Sequence, residues 1–512
     1  MLNYTPLTRP LFHLLYNKSE AIDTPGATEE AQRRVLKSLI KKASGTEYGR
    51  RYGFKKIRRY EDFIAAVPAT EFEDIRPMVM RMVSGEADVL WPGVCRRYAQ
   101  SSGTSGGKSK YIPVTKEALH HNHYAGAAYA VAYYLARYPQ SRLFGGKSLI
   151  LGGSFAHELP YVPENVCVGD LSATLIDRVG PVVNLFRIPS RDIALLSDWN
   201  KKLPAIAEAS ANEDVTNISG VPSWFMTVLR RIIADKGAKT IHEVWPNLEV
   251  FFHGGIAFGP YREQYHEITD PAKMRYHENY NASEGFFATQ DSDKSGVMRL
   301  LCDIGVFYEF VPLDSLDKAS EAAIPAWKVE KGRTYAMMIS SCNGLWRYMI
   351  GDTVRIESTS PLKISIAGRT NSFINAFGEE LMVWNADKAL AEACSKTGAS
   401  IRNYTAAPVY ASCGTKGHHQ WLIEWEKAPK CDNEAFADIL DAELQKVNSD
   451  YQAKRNSDIF LARLELTEAP EGVFDLWLAS TGKLGGQRKI PRLSNDRRII
   501  DPIIKLSQTI KH

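Results

Sequence analysis

Long apolar runs are missing from this chain. No stretch of about 18 apolar residues occurs that would span a bilayer as a helix, so no membrane partner is expected. The opening residues, Met1-Leu2-Asn3-Tyr4-Thr5-Pro6-Leu7, have neither a basic start nor an apolar leader core, and a cytoplasmic location is the expectation. Charge of one sign is scarce as well. A net charge of +4 over 512 residues gives no field that calls for nucleic acid. The densest basic run, from Arg50 to Tyr60, is followed by Glu61, Asp62, Glu71, Glu73 and Asp74, and reads as a solvated face. Cysteine is sparse: the seven are odd in number, widely spaced and without a Cys-x-x-Cys, which points to reduced thiols and excludes a disulfide framework or a cysteine zinc site. His120, His121 and His123 lack the i, i+4 spacing of a helical zinc pair. No Gly-x-Gly-x-x-Gly dinucleotide fingerprint is present.

What is present is an ordinary globular composition, 44% hydrophobic and 24% charged, with length for about three domains. The most informative stretch is Ser101-Ser102-Gly103-Thr104-Ser105-Gly106-Gly107-Lys108-Ser109-Lys110. Glycines let successive backbone N–H groups face one concave site, while hydroxyls and ammonium groups add donors and charge, so the stretch reads as an anion cradle or, failing that, a flexible turn. It misses the Walker pattern, because Ser102 stands where that pattern needs glycine and another strand follows the loop. Strands over 95–99 and 111–114 predict a hairpin with this loop as its connection.

Along the chain, helices are predicted over 28–43, capped by Thr28, and over 116–138. Strands at 148–151, 215–219 and 248–253 alternate with helical segments at 192–210 and 223–235, which is α/β wiring. From 296 to 356 short strands broken by Gly, Pro and charged turns predict a distorted β-barrel or a small antiparallel sheet. The fold class is therefore α/β, with a large composite N-terminal domain over 1–368, a hinge at 369–371 and a small α+β C-terminal domain over 372–512. In that tail, helices over 386–396 and 433–446 are expected against an antiparallel sheet of strands at 403–412, 420–425, 460–466 and 474–479.

Four further segments cluster small and polar residues. His253-Gly254-Gly255 ends a buried strand, where an α/β sheet places either a ligand or a plain tight turn. Tyr280-Asn281-Ala282-Ser283-Glu284-Gly285 offers a ring to stack on a purine, small residues for close approach and a carboxylate for Mg²⁺, unless it is a surface loop. Arg347-Tyr348-Met349-Ile350-Gly351-Asp352 ends in a carboxylate able to accept ribose hydroxyls, or in an ordinary Gly-Asp turn. Gly485-Gly486-Gln487-Arg488-Lys489-Ile490-Pro491-Arg492 is a glycine turn followed by cations, in other contexts a surface basic loop. Trp224, Phe225 and the helix over 116–138 border an acyl pocket or belong to the core.

Taken in order, these segments resemble the adenylate-forming ligases. The run Ser101 to Gly106, Ala282-Ser283-Glu284-Gly285, Arg347-Tyr348 with Ile350-Gly351-Asp352, Gly368-Arg369, and Gln487, Lys489, Pro491 and Arg492 are similar to those of the auxin-responsive acyl-acid amido synthetases. Phe373-Ile374-Asn375-Ala376-Phe377-Gly378-Glu379-Glu380 brings the resemblance closest to that family's bacterial members. The resemblance implies ATP and Mg²⁺ as cofactors, a small-molecule carboxylic acid and an amine, an amino acid by expectation, as partners, and a monomer. It implies that Ser101, Ser102, Gly103, Thr104, Ser105, Gly106, Lys108 and Lys110 hold the β- and γ-phosphates. Gly254 and Gly255 would line the adenine, Tyr280 would stack on it, and Asn281, Ala282 and Ser283 would border the nucleotide. Glu284 would ligate Mg²⁺, Asp352 and Arg369 would hold the ribose, and Lys489 would meet the reacting phosphate and carboxylate. It further implies a mobile small domain turning at 368–371 between two half-reactions. Asn281 and Ala282 depart from the plant pattern, which bears on acyl and amine specificity. An acyl- or aryl-CoA ligase, or a noncatalytic nucleotide or acyl-ligand binding protein of the same fold, are the alternatives.

Overall fold

The computed structural model describes the chain apart from residues 1, 102–108, 158, 256–257, 371–372, 375, 377–378, 380, 410–416, 449–450, 453–454, 456–460, 482–489, 495 and 511–512. Its contacts group into two units, Met1–Ile350 with Val354–Ser365, and Gly351–Thr353 with Ile366–His512. Among the described residues no helix is long and apolar enough to cross a membrane.

The first unit begins with two helices. Thr5–Glu20 was hidden in the sequence by Pro6 and Pro10; Pro6 sits in its first turn, where no N–H partner is lost. Pro25–Ala43 starts one turn earlier than expected. Thr24 is its cap, accepting the Ala27 N–H at 3.2 Å, because Pro25 is pre-set for the first helical position, and Thr28 is buried inside the helix.

Strands β1 (Arg97–Ser101) and β2 (Lys110–Pro113) pair antiparallel as the expected hairpin, with Ser101 opposite Lys110. After β3 (Lys147–Ile150), strand β4 (Cys167–Gly169) lies parallel to β1, placing Ala99 beside Gly169. Strands β5 (Arg187–Ile188), β6 (Val215–Gly220), β7 (Val250–Gly254) and β8 (Arg275–Ala282) run parallel with β3 in the order β5-β3-β6-β7-β8. Helices Trp199–Ser210 and Pro222–Lys236 supply crossovers, and Phe225, Trp245, Phe251 and Tyr265 form the core beneath them.

The same ladder continues through β9 (Gly285–Gln290), β10 (Met298–Leu300), β11 (Val306–Pro312), β12 (Ile324–Pro325), β13 (Thr334–Ser341), β14 (Tyr348–Thr359) and β15 (Leu362–Arg369). The result is one twelve-stranded sheet. The short strands expected in a distorted barrel run here as its antiparallel half, since β8 turns directly into β9 through a two-residue connection that permits only antiparallel pairing.

In the second unit β16 (Phe373–Ile374) and β17 (Leu381–Met382) pair, and helix Val383–Thr397 follows. Strands β18 (Ser400–Val409) and β19 (His418–Lys427) are antiparallel. The third strand, β20 (Glu465–Ala469), is parallel to β19, contrary to the antiparallel expectation, because helix Asn433–Val447 lies between them in sequence and returns the chain in the same direction. Residues 461–464 are irregular, so the strand expected over 460–466 falls later. The strand expected over 474–479 is helix Val473–Ser480. Gly472, at φ +77, turns the chain into it and donates its N–H to Glu424 at 2.7 Å, while Val473, Phe474 and Trp477 face one small core.

Candidate active site

The root of the Ser/Gly loop is fixed on both sides. Ser101 and Lys110 are the last pair of the hairpin, and β1 leaves its sheet at the same edge as Gly169. The Ser109 carbonyl accepts from Arg76 Nη1 at 3.2 Å, and its hydroxyl accepts from Gln100 Nε2 at 3.2 Å. Lys110 Nζ donates to the Tyr348 hydroxyl at 3.3 Å and stands 5.7 Å from that ring's centre. Ser102, Gly103, Thr104, Ser105, Gly106 and Lys108 lie outside the described residues, as does Lys489.

The carboxyl edge of the parallel strands carries the next residues, which is where an open α/β sheet places ligands. Gly254 ends β7, and a Cβ there would run into the Asn279 carbonyl and come within 2.8 Å of Asn281 Oδ1. Gly255, at φ +82, turns the chain away. Thus Gly254, Gly255 and exposed Asn281 adjoin. Asn281 faces Phe286 and Ala282 faces Gly285 across the hairpin, which leaves Ser283 and Glu284 as its turn. Tyr280 is 4% exposed and meets Phe287 at 5.0 Å, so its ring is also part of the core.

Glu284 is 6% exposed, and its carbonyl accepts from Asn343 Nδ2 at 3.0 Å. A single carboxylate suits Mg²⁺ only where water and phosphate oxygens supply its other ligands. Among the described residues there is no group of three or more His, Cys, Asp or Glu placed to hold a metal without substrate.

Two site supports escaped the sequence reading. Asn122 lies in a π turn, Leu119–His123, inside the helical run expected over 116–138. Its amide donates to the Phe286 and Ile304 carbonyls, both at 3.0 Å, and accepts the Phe286 N–H at 2.7 Å. Asn343 is the second. The usable signal was the one asparagine in the helical run over 116–138, where it has poor propensity and needs a hydrogen-bond partner.

Arg347 is not at a ligand surface. It is wholly buried, pairs with buried Glu309 at 3.1 Å, and donates to the Val67 and Ser320 carbonyls, both at 2.9 Å. Burial pushes the Glu309 carboxyl up while Arg347 and the Tyr60 hydroxyl pull it down. The pair anchors the start of β14, where Thr70 also bonds the backbone on both sides of Tyr348.

Within the second unit, Asp352 Oδ1 and Arg369 Nε stand 3.2 Å apart, the carboxylate largely covered and the guanidinium more open. Gly351, at φ +92, precedes Asp352, and its carbonyl accepts the Thr370 N–H at 2.8 Å. Just beyond Lys489, the Pro491 carbonyl accepts from Thr405 at 2.7 Å and the Arg492 carbonyl accepts the Ala406 N–H at 2.8 Å. Arg492 itself pairs with Asp387 and lies over Tyr404, which commits it to structure. Buried Glu379 bonds buried His419 at 2.8 Å.

Comparison with known proteins gives three consecutive matches: the GH3 family N-terminal domain over residues 23–274, the central domain over 299–369 and the C-terminal domain over 384–498. The probable indole-3-acetic acid-amido synthetase GH3.1 of Arabidopsis thaliana is 22% identical over 92% of this chain and 90% of its own. The indole-3-acetic acid-amido synthetase GH3.8 of Oryza sativa subsp. indica is 23% identical over 91% and 88%. Among solved structures, a GH3.15 acyl acid amido synthetase superposes with a TM-score of 0.74 at 17% identity, covering 96% of this chain and 94% of that one. A 2-hydroxyisobutyryl-CoA ligase shares the fold at a TM-score of 0.61 and 12% identity, with 96% and 94% covered.

Proposed function

The chain belongs to the GH3 family, and on that premise we propose that it is an AMP-forming acyl-acid amido synthetase, joining a carboxylic acid to an amino acid at the expense of ATP. The observation that carries this reading is the meeting of Gly254, Gly255, Asn281 and Glu284 at one carboxyl edge of the sheet. In the first half-reaction a carboxylate oxygen bonds to the α-phosphorus and pyrophosphate leaves. In the second the amine nitrogen bonds to the acyl carbon, AMP leaves and the amine loses a proton. No side-chain nucleophile is required.

Two anions must approach in the first step, so positive charge and fixed N–H donors do most of the work. The loop from Ser101 through Ser102, Gly103, Thr104, Ser105 and Gly106 to Lys108 and Lys110 receives the β- and γ-phosphates. Gly254, Gly255 and Tyr280 border the adenine, with Asn281, Ala282 and Ser283 along the nucleotide. Asp352 accepts from the ribose hydroxyls, and Arg369, already beside it, orients that carboxylate. Mg²⁺ held by Glu284 neutralises phosphate charge when bound. Lys489 reaches the α-phosphate and the incoming carboxylate. The small C-terminal domain turns at 368–371 between the steps, so that one site serves both. All of these residues lie on one chain, and a monomer suffices.

The nucleophile of the second step is tested by supplying amino acids or CoA to enzyme holding preformed acyl-AMP and identifying the product by mass spectrometry. Amides are expected. A thioester with no amide would move the chain to the CoA-ligase reading.

A further inference from the structure

A cavity of about 340 Å³ opens at the base of the β1–β2 hairpin, its lining including the apolar Trp91, Val94 and Leu119 and the cationic Arg97, Lys116 and Arg178. We propose that it binds a small organic carboxylate at a place separate from the nucleotide edge.

Charge in the cavity is unbalanced. Arg96, Arg97, Lys116 and Arg178 all line it, and Arg97 Nε, buried behind this wall, has no hydrogen-bond partner among the described residues. Arg178 is exposed at the mouth, and the adjacent carboxylate, Asp177, is already taken by Arg191. Glu117 also lines the cavity, but its two oxygens are engaged, one by Lys42 at 3.1 Å and the other by the Trp91 indole N–H at 3.3 Å. Burial pushes the nearby Tyr124 hydroxyl up to about 12, with Arg178 and Arg97 acting in the opposite sense and Asp177 in the same sense as burial.

The ligand class follows from these walls. Guanidinium groups recognise a planar carboxylate through paired N–H donors, and the indole and aliphatic lining suits an apolar body. The volume lies in the range of small-molecule sites. Arg97 and Ser101 are the two ends of β1, about 13 Å apart at the rise of a strand, so this cavity sits at the opposite end of the hairpin from the phosphate loop.

Calorimetric titration of the full-length protein with benzoate tests the site, with benzamide and inorganic phosphate as controls. Benzoate is expected to bind wild type and Asp352→Ala alike, benzamide and phosphate not to bind, and Arg97→Met/Arg178→Met to weaken benzoate at least tenfold with acid-dependent pyrophosphate exchange unchanged. Arg178→Gln alone, an exposed change that leaves the fold intact, is expected to weaken benzoate several-fold. Absence of benzoate binding to wild type, or unchanged binding in Arg178→Gln, overturns the proposal. Phosphate binding as tightly as benzoate overturns the carboxylate assignment.

Discussion

The side-chain amide of Asn122 and the backbone of Phe286 form a closed pair, Nδ2 donating to the Phe286 carbonyl at 3.0 Å and Oδ1 accepting its N–H at 2.7 Å. Phe286 lies two residues beyond Glu284, so the pair sets the turn that presents the carboxylate. Asn122→Leu strands a buried N–H and two carbonyls and is expected to cost about 2–4 kcal/mol in denaturant melts. The Mg²⁺ concentration needed for half-maximal pyrophosphate exchange should rise several-fold. Unchanged stability and Mg²⁺ dependence would deny Asn122 this role.

Breaking the buried Arg347–Glu309 pair leaves one charge unmet. Arg347→Met or Glu309→Leu alone should each cost about 3–5 kcal/mol, and the double replacement clearly less than the two costs combined. Additive losses in a double-mutant cycle would show that the two side chains do not act as a pair.

Lys202 fixes the carboxyl end of β3. It is buried on helix Trp199–Ser210 and donates to the Gly152 and Gly153 carbonyls at 2.6 and 3.1 Å, while Asp170, just after β4, accepts the Ser154 N–H at 3.0 Å. Burial brings the Lys202 ammonium down to about 8, with Asp170 opposing. Since β4 pairs with the strand that leads into the Ser/Gly loop, this cluster ties the two sheets of the first unit together. Lys202→Met should lower stability by about 2–4 kcal/mol and raise the KM for ATP. An unaltered melt would contradict that tie.

Three buried histidines make the first unit sensitive to acid. Burial lowers His123 to about 4, His253 to about 3 with help from Arg262, and His277 well below the ordinary 6.5. Each folded value lies below the unfolded one, so the unfolded chain binds more protons as the pH drops. Their contribution is complete above pH 6.5 and declines as the pH falls toward 4, each by up to about 1.4 kcal/mol per pH unit. His253→Phe, which keeps the stack on Phe258, should make the decline shallower between pH 6.5 and 5. Equal slopes in wild type and variant would refute this assignment.

Local patterns with one physical cause were legible. The hairpin at Ser101 to Lys110, the parallel strands and the Gly254-Gly255 turn follow from alternation, buried β-branched runs and glycine placement. Long-range partners were not. Arg347 looked like part of a ligand motif because sequence cannot show that Glu309 waits inside the core for it. Thr28 looked like a cap, but Pro25 suits the first helical position and moves the cap to Thr24, and Phe474 to Ala479 looked like a strand because a short apolar run has no period of its own. Asn122 acts across 164 residues, a separation no local window spans.

Acid-dependent exchange of labelled pyrophosphate into ATP tests the central claim most directly. With a broad panel of aryl and alkyl carboxylic acids, exchange is expected that needs the acid, ATP and Mg²⁺, and that falls sharply in Lys489→Ala while the variant melts as wild type does. Exchange at background with every acid would contradict adenylation, and undiminished exchange in Lys489→Ala would remove that lysine from the reaction.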